Sequence, residues 1–309
     1  MQSSAHIPLR IGTRGSPLAL VQARTVRSQL AAALGRHEDT IELKIIRTTG
    51  DTIVDRPLTE EGGKGLFTKE IEEALLSGGI DLAVHSAKDM PTVLPKGLML
   101  TACLEREDPR DVFISKKARE VARLPQGAAI GTASLRRQAI VKRARPDLRI
   151  VPLRGNVETR LRKLDEGEAD AIVLALAGLK RLGLADRATR VMEADEFLPA
   201  VGQGAIAIET RENDTRTREL VAKINHADTL AAISAERAFL AVLDGSCKTP
   251  IGGHATIDDA AVNFRGLIAK PDGSVVHDIV ANGKRADAEK IAAEAARALL
   301  QRVGRGFFD

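Results

Sequence analysis

Two separated stretches of this chain repeat one another, and the repeat limits the fold more than any other feature. Ile11-Gly12-Thr13 returns as Ile130-Gly131-Thr132, each followed within three residues by a serine. Gly78-Gly79-Ile80-Asp81-Leu82-Ala83-Val84 returns as Gly167-Glu168-Ala169-Asp170-Ala171-Ile172-Val173. A chain that spells the same strand-to-helix passage twice builds two similar α/β lobes. Each lobe is then a mixed or mostly parallel sheet flanked by helices.

Local patterns fill in the lobes. Leu9 to Thr13 reads as a strand, and Ser16-Pro17 opens a helix to about Leu34, with serine as N-cap and proline at the first helical position. Ile41 to Thr48 is a second strand, 49–64 a long polar loop, Leu66 to Leu76 an amphipathic helix and Asp81 to His85 a buried strand. In the second lobe Ala129 to Thr132, Leu148 to Leu153 and Ala171 to Leu176 read as strands. Ser134 and Asn156 cap the helices between them. Ala205 to Glu209 is a further strand, followed by helices at Thr215 to Ile224 and Leu230 to Val242. Residues 252–283 look antiparallel, with Asp-Asp and Asp-Gly turns, and an alanine-rich helix runs from Ala286 to Val303. That last region reads as a small α+β domain.

Positive charge is concentrated where the second copy of the repeat begins. Between Ser134 and Lys163 lie Arg136, Arg137, Lys142, Arg143, Arg145, Arg149, Arg154, Arg160, Arg162 and Lys163, against only Asp147 and Glu158. The net charge of the chain is only +4, so the bias is local. In open α/β sheets ligands bind beyond the carboxyl ends of the strands. Thr13, Arg14 and Ser16 sit at such an end, as do His85, Ser86, Lys88 and Asp89, then Thr132, Ser134, Arg136 and Arg137, and then Arg154. Helix N-termini at Ser16 and Ser134 add N–H groups that favour anions, and arginine suits carboxylate or phosphate. The expectation is an interlobe cleft lined with donors for a polyanion. Arg143, Arg145, Arg149, Arg162 and Lys163 read instead as a solvated helix face.

Nucleic acid is disfavoured. Single-strand binders stack bases on aromatics, and this chain has no Trp, no Tyr and seven Phe. The six histidines show no metal-ligand spacing. Gly62-Gly63-Lys64-Gly65 lacks the spacing of a nucleotide phosphate loop. Two cysteines make no disulfide framework. Cys103 reads as an inert buried thiol. Cys247, in Gly245-Ser246-Cys247-Lys248-Thr249-Pro250, lies in a loop beside a cation and is a candidate nucleophile or attachment point. No secretory segment or membrane-length apolar run is visible, so the expectation is a soluble, cytoplasmic protein. Asp89, a carboxylate among cations, is placed either to stabilise developing positive charge in a substrate or, as the motif alone favours, to form a salt bridge holding Lys88 or an arginine.

These motifs together resemble the porphobilinogen deaminase family. The matching pieces are Ile11-Gly12-Thr13-Arg14-Gly15-Ser16-Pro17-Leu18-Ala19-Leu20, Gly63-Lys64-Gly65-Leu66-Phe67 and His85-Ser86-Ala87-Lys88-Asp89-Met90-Pro91. Further matches are Gly131-Thr132-Ala133-Ser134-Leu135-Arg136-Arg137-Gln138, Arg154-Gly155-Asn156-Val157 with Arg160, and Gly245-Ser246-Cys247. They span nearly the whole chain in order.

The resemblance implies an α/β fold of two similar periplasmic-binding-protein-like lobes with mixed sheets, plus a small C-terminal α+β domain with an antiparallel sheet. It divides the chain into 1–104 with 200–221, then 105–199, then 222–309. It implies a transferase of tetrapyrrole and haem biosynthesis that joins four porphobilinogen molecules head to tail with loss of ammonia. The chain grows on a dipyrromethane cofactor bound covalently as a thioether through Cys247, and water releases linear hydroxymethylbilane. Cofactor plus substrates present twelve carboxylates, a polyanion of the expected kind.

By resemblance Asp89 is catalytic, hydrogen-bonding pyrrole N–H groups and stabilising the azafulvenium-like cation left by ammonia. The cofactor falls to Lys88, Asp89, Thr132, Ser134, Arg136, Arg137 and Arg160. Substrate or growing chain falls to Thr13, Arg14, Ser16, Lys64, Phe67, Arg154, Gly155 and Arg181. Glu60 and Glu61 depart from the pattern, since some relatives carry lysine there. No metal, nucleic acid or membrane partner is implied, and the family suggests a monomer.

Overall fold

A computed structural model describes residues 8–52, 65–245, 249–304 and 307. The chain begins with β1 (Leu9–Thr13), α1 (Pro17–Leu34), β2 (Ile41–Ile45), the single turn α2 (Thr49–Thr52), α3 (Lys69–Leu76), β3 (Leu82–Ser86) and β4 (Leu98–Cys103). It continues with β5 (Asp111–Ser115), β6 (Ala129–Gly131), α4 (Leu135–Ala144), β7 (Arg149–Val151), α5 (Val157–Asp165), β8 (Ala171–Ala175), α6 (Leu176–Arg181) and β9 (Arg190–Val191). Then come β10 (Ile206–Arg211), α7 (Thr215–Ala222), α8 (Ala227–Val242), β11 (Ile251–Asp258), β12 (Ala261–Ala269), β13 (Val276–Lys284) and α9 (Ala288–Val303).

The repeat read from the sequence is a repeat of sheet topology. One five-stranded sheet has the order β2-β1-β3-β10-β4 and the other β7-β6-β8-β5-β9. In each, the first three strands are parallel and the fourth and fifth run antiparallel to their neighbours. The fourth strand is the informative one. β5 is the first strand after the chain leaves the first sheet, and β10 is the first after it returns. Each sheet is therefore completed by the strand that follows a crossing.

The sequence accounts for the helix starts. The Ser16 hydroxyl accepts the Ala19 N–H at 3.3 Å, with Pro17 opening α1. Ser134 accepts Arg137 N–H at 3.4 Å, and Asn156 accepts Thr159 N–H at 2.8 Å. The glycine of each Ile-Gly-Thr copy answers to packing. A Cβ on Gly12 would lie 2.2 Å from Ile80 Cδ1, and one on Gly131 would lie 3.0 Å from Leu153 Cδ2.

Both faces of the second sheet are buried, as in sheets covered by helices on each side. Phe113, Ile130 and Val173 pack on Ile140 and Val141 of α4. Val112, Ile172 and Leu174 pack on Leu161 and Leu164 of α5. In the first sheet Ile11, Leu82, Val84 and Ile208 pack on Val26 and Leu30 of α1. The C-terminal region holds β11-β12-β13, fully antiparallel, with α8 and α9 against it. Its core joins Phe239, Phe264 and Leu299, with the two phenyl rings 4.9 Å apart.

Mixed sheets and an antiparallel C-terminal sheet match expectation, but several elements do not. β4, β5 and β9 were not expected at all. Helix α3 starts at Lys69 instead of Leu66, because 65–68 form turns that present Phe67 and Thr68 first. β2 and β7 are shorter than read, and the three C-terminal strands are longer. Among the described residues no helix is long and apolar enough to cross a membrane.

Candidate active site

The parallel strands of both sheets bring their carboxyl ends, and the polar residues behind them, toward one cleft. β1 leads into Arg14 and Ser16. β3 ends at Ser86, and the 3-10 turn Ala87–Asp89 presents Lys88 and Asp89. Arg14, Ser16, Gln22, Phe67, Thr68, His85, Ser86 and Asp89 line a common cavity. The Arg14 guanidinium lies over the Phe67 ring at 4.3 Å, a cation–π contact that fixes both side chains on this wall. Gln22 donates to Ser86 Oγ at 2.9 Å. His85 Nε2 lies 3.1 Å from Glu209 Oε2.

The second sheet supplies the other wall. Arg136 and Arg137 are buried, at 3% and 5% exposure. One carboxylate holds both: Asp111 Oδ2 accepts Arg136 Nη2 and Oδ1 accepts Arg137 Nη2, each at 2.7 Å. Their Nη1 atoms donate to the carbonyls of Leu198 and Val173 at 2.7 and 2.8 Å. Burial alone would raise the Asp111 carboxyl, but the two guanidinium groups hold it down at about 2. The Nε–H of each arginine has no hydrogen-bond partner among the described residues.

Lys88, Asp89, Arg137, Arg154 and Arg160 lie close enough to act on one another's charge. Burial pushes the Lys88 ammonium down to about 8, with Arg137 and Arg160 adding to the push and Asp89 and Asp111 opposing it. Its ammonium makes a long contact, 3.5 Å, to Gln203 Oε1. Arg160 is pushed down to about 10 by burial and by Arg137 and Arg154. Its Nε donates to the Gly155 carbonyl at 2.8 Å. Arg181 donates to the Gly204 carbonyl at 2.6 Å, and burial lowers it as well. Five cations (Lys88, Arg136, Arg137, Arg154 and Arg160) thus face two carboxylates, Asp89 and Asp111. The donor set, with two orphaned Nε–H groups and a depressed lysine, fits a ligand carrying several carboxylates and does not fit a neutral one.

Some expected site residues face elsewhere. Thr13 is fully buried, and its hydroxyl donates to the Ala19 carbonyl at 3.3 Å. Thr132 is buried, and its Oγ1 accepts the Ser134 N–H at 3.1 Å. Both shape the strand-to-helix passage. Gly155 sits at the start of the α5 cap with φ +113°. Lys64 and Cys247 lie outside the described residues, as does 53–64. Cys103 is buried, and burial pushes its thiol up to about 12, so it is inert. On the surface face, Arg145 pairs with Asp147, Arg162 with Glu166 and Lys163 with Glu168.

Sequence reasoning missed Asp111 and Gln203. Asp111 stands in Asp108-Pro109-Arg110-Asp111, where neighbouring charges suggest a solvated turn. The signal was its place directly before the apolar run Val112-Phe113-Ile114. Gln203 is 1% exposed and donates to Pro109 O at 2.7 Å and Asp111 Oδ1 at 3.0 Å. Its signal was a lone polar residue between Gly202 and Gly204.

Comparison with known proteins agrees with this donor set. Residues 9–219 match the family model described as "Porphobilinogen deaminase, dipyromethane cofactor binding domain", and residues 230–301 match "Porphobilinogen deaminase, C-terminal domain". A porphobilinogen deaminase of Nitrobacter hamburgensis is 59% identical over 310 residues, covering 100% of this chain and 98% of the relative. One from Nitrobacter winogradskyi is 60% identical with the same coverage. Among solved structures, a putative methionine-binding lipoprotein of Bacillus subtilis aligns with TM-score 0.45 and 14% identity, over 72% of this chain and 92% of that one. The methionine-binding protein MetQ aligns with TM-score 0.45 and 15% identity, over 75% and 95%. The family models account for both sheets and the C-terminal region, and the two Nitrobacter proteins align along the full length: the chain is an enzyme of the porphobilinogen deaminase family, with that family's dipyrromethane cofactor-binding domain.

Proposed function

We propose that the cleft between the two sheets is where this enzyme joins porphobilinogen units, with Asp89 as its catalytic carboxylate. The reaction is head-to-tail polymerisation of four porphobilinogen molecules with release of ammonia, then hydrolysis to linear hydroxymethylbilane. The observation that carries the reading is the meeting of Lys88 and Asp89 from the first sheet with Arg137, Arg154 and Arg160 from the second.

In this reading Lys88, Arg160 and the orphaned Nε–H groups of Arg136 and Arg137 hold cofactor carboxylates, with Ser134 at the helix start beside them. Arg14, Ser16, Arg154 and Arg181, with Phe67, hold substrate or growing chain. The dipyrromethane, attached through the Cys247 sulfur, supplies a pyrrole with a free α-carbon as the primer. Asp89 accepts pyrrole N–H hydrogen bonds and stabilises the positive charge that develops as ammonia departs. It is held ready by the surrounding cations and needs no reorganisation during the step. The division into 1–104 with 200–221, 105–199 and 222–309 suits this assignment, because it puts each sheet in its own unit and the cysteine in the third. A cytoplasmic monomer is the expected working form.

One experiment tests the assignment. Intact-mass spectrometry of purified Asp89→Asn should show the same dipyrromethane-sized adduct as the wild type, and Cys247→Ser should show none. Turnover of the Asp89→Asn holoenzyme should fall by about a hundredfold or more. Near-normal turnover rejects the role of Asp89, and an adduct that persists in Cys247→Ser rejects the attachment site.

A further inference from the structure

A buried cluster behind the cleft wall has no part in the roles above. His85 of β3 lines the cleft beside Ser86 and Asp89. Its Nε2 is 3.1 Å from Oε2 of Glu209 on β10, the strand that lies antiparallel beside β3 with Ala207 opposite His85. Glu209 is fully buried, and its second oxygen, Oε1, has no hydrogen-bond partner among the described residues. Glu72 of α3 is 6% exposed and likewise leaves Oε1 without one. Its side chain is bonded to Thr68, which lines the same cleft.

A buried carboxyl group with an empty oxygen is costly to keep without a partner. Burial raises the proton affinity of Glu72, and the Glu209 charge adds to it, while Thr68 and His85 oppose. Arg237 of α8 also acts on Glu209, and Asp89 lines the cleft beside His85. The Cys103 thiol of β4 stays protonated.

The reaction needs such a place. At each coupling the aminomethyl C–N bond of the incoming porphobilinogen breaks, and its electron pair leaves on ammonia. A C–C bond forms to the α-carbon of the acceptor pyrrole. The C–H pair at that carbon returns to the ring, and one proton departs. Ammonia plus that proton make the ammonium that balances the step. Between carbon and ammonia the proton needs a base.

We propose that His85, backed by Glu209, is a proton relay that takes up the proton shed at each coupling and passes it to the ammonia already released. The relay rests on the cleft being the site of reaction. His85 acts from the cleft wall, and Glu209, 3.1 Å from its Nε2, positions it.

Glu209→Gln keeps the size of the side chain and a hydrogen bond to His85, but it takes up no proton. In the holoenzyme, with its adduct verified by mass, this variant should lower kcat by about tenfold to a hundredfold at unchanged KM. It should also change the shape of the kcat–pH profile. With porphobilinogen deuterated at its free α-position the kinetic isotope effect should rise, because removal of that proton becomes slow. His85→Gln should do the same. A pH profile and an isotope effect equal to those of the wild type in both variants overturn the relay, whatever the absolute rate. Asp89→Asn assayed alongside separates the two readings: if it is nearly as active as the wild type the cleft assignment fails, and if it is inactive while Glu209→Gln keeps the wild-type profile only the relay fails.

Discussion

Asp111→Asn probes how the cleft keeps its cations in place before any anion arrives. Asp111 is fully buried and accepts three donors: Arg136 and Arg137 at 2.7 Å and Gln203 Nε2 at 3.0 Å. Asparagine offers one oxygen to those three donors and turns an N–H toward a guanidinium. Two buried cations then lose their shared counter-charge. Removing one partner of a buried ion pair costs about 3–5 kcal/mol. The depressed carboxyl gives a second, lower figure. The Asp111 carboxyl is held at about 2 against an ordinary 3.8, a difference equivalent to roughly 2 kcal/mol. The sign follows from a depressed folded-state value: the contribution is complete above about pH 4 and is lost as pH falls toward 2. Urea unfolding of wild type and Asp111→Asn should therefore differ by about 2–5 kcal/mol at pH 7, and the gap should narrow between pH 4 and 3. The variant should also lose affinity for the dipyrromethane, seen as a smaller adduct fraction in intact mass. A stability loss below about 1 kcal/mol, constant with pH, would refute the idea that one carboxylate organises both arginines.

Two further substitutions test the crossings between the sheets. Glu236 of α8 is fully buried; it accepts Arg106 Nη1 at 2.6 Å and Nη2 at 3.2 Å, Gly202 N–H at 2.7 Å and Ala255 N–H at 2.8 Å. Glu236→Gln should cost about 3–5 kcal/mol in urea unfolding, because Arg106 is left as a largely buried cation; a loss under about 1 kcal/mol would show that this node carries little. Gly204 has φ +91°, and a Cβ there would lie 2.3 Å from the Glu107 carbonyl oxygen, whereas Gly183 has φ +70° and open space around it. Gly204→Ala should therefore cost clearly more than the roughly 1–2 kcal/mol of left-handed strain expected for Gly183→Ala; equal thermal-shift losses would mean the two crossing segments separate freely.

The parts of the fold legible in the sequence were the locally encoded ones. Ser16-Pro17, Ser134 and Asn156 announce their helices through side chains that bond within three residues. Leu82 to Val84 and Ala171 to Leu174 announce buried strands through unbroken apolar runs. The antiparallel strands were not legible, because their place depends on partners far away. Val112-Phe113-Ile114 is an apolar run of three, flanked by Asp111 and Ser115. Nothing local says that it pairs with β8 and completes the second sheet as β10 completes the first. The candidate site divides in the same way. Arg136, Arg137 and Arg160 stand out by position at strand ends and helix starts. Asp111, Gln203 and Glu209 do not, since each acts across a long sequence separation on a residue that chemistry alone would have nominated.

Those long-range residues form a graded network, and the gradation says where the molecule yields. At the crossings, the fully buried Glu236 carboxylate binds Arg106 and Gly202 through short contacts. Gln203, the next residue, ties Pro109 and Asp111 at 2.7 and 3.0 Å, and Asp111 fixes Arg136 and Arg137. Toward the first sheet, however, Gln203 reaches Lys88 through a 3.5 Å contact, and burial already disfavours that ammonium. A long hydrogen bond to a depressed lysine contributes little, so separating Lys88 from the arginine wall costs far less than disturbing the crossings. The second wall is thereby a fixed cationic surface built on Asp111, while Lys88 and Asp89 ride on the turn after β3. A cleft that must accept successive carboxylate-bearing rings gains from that asymmetry. On the proposed roles, the arginines of the second wall keep their geometry, and Asp89 shifts with its own sheet.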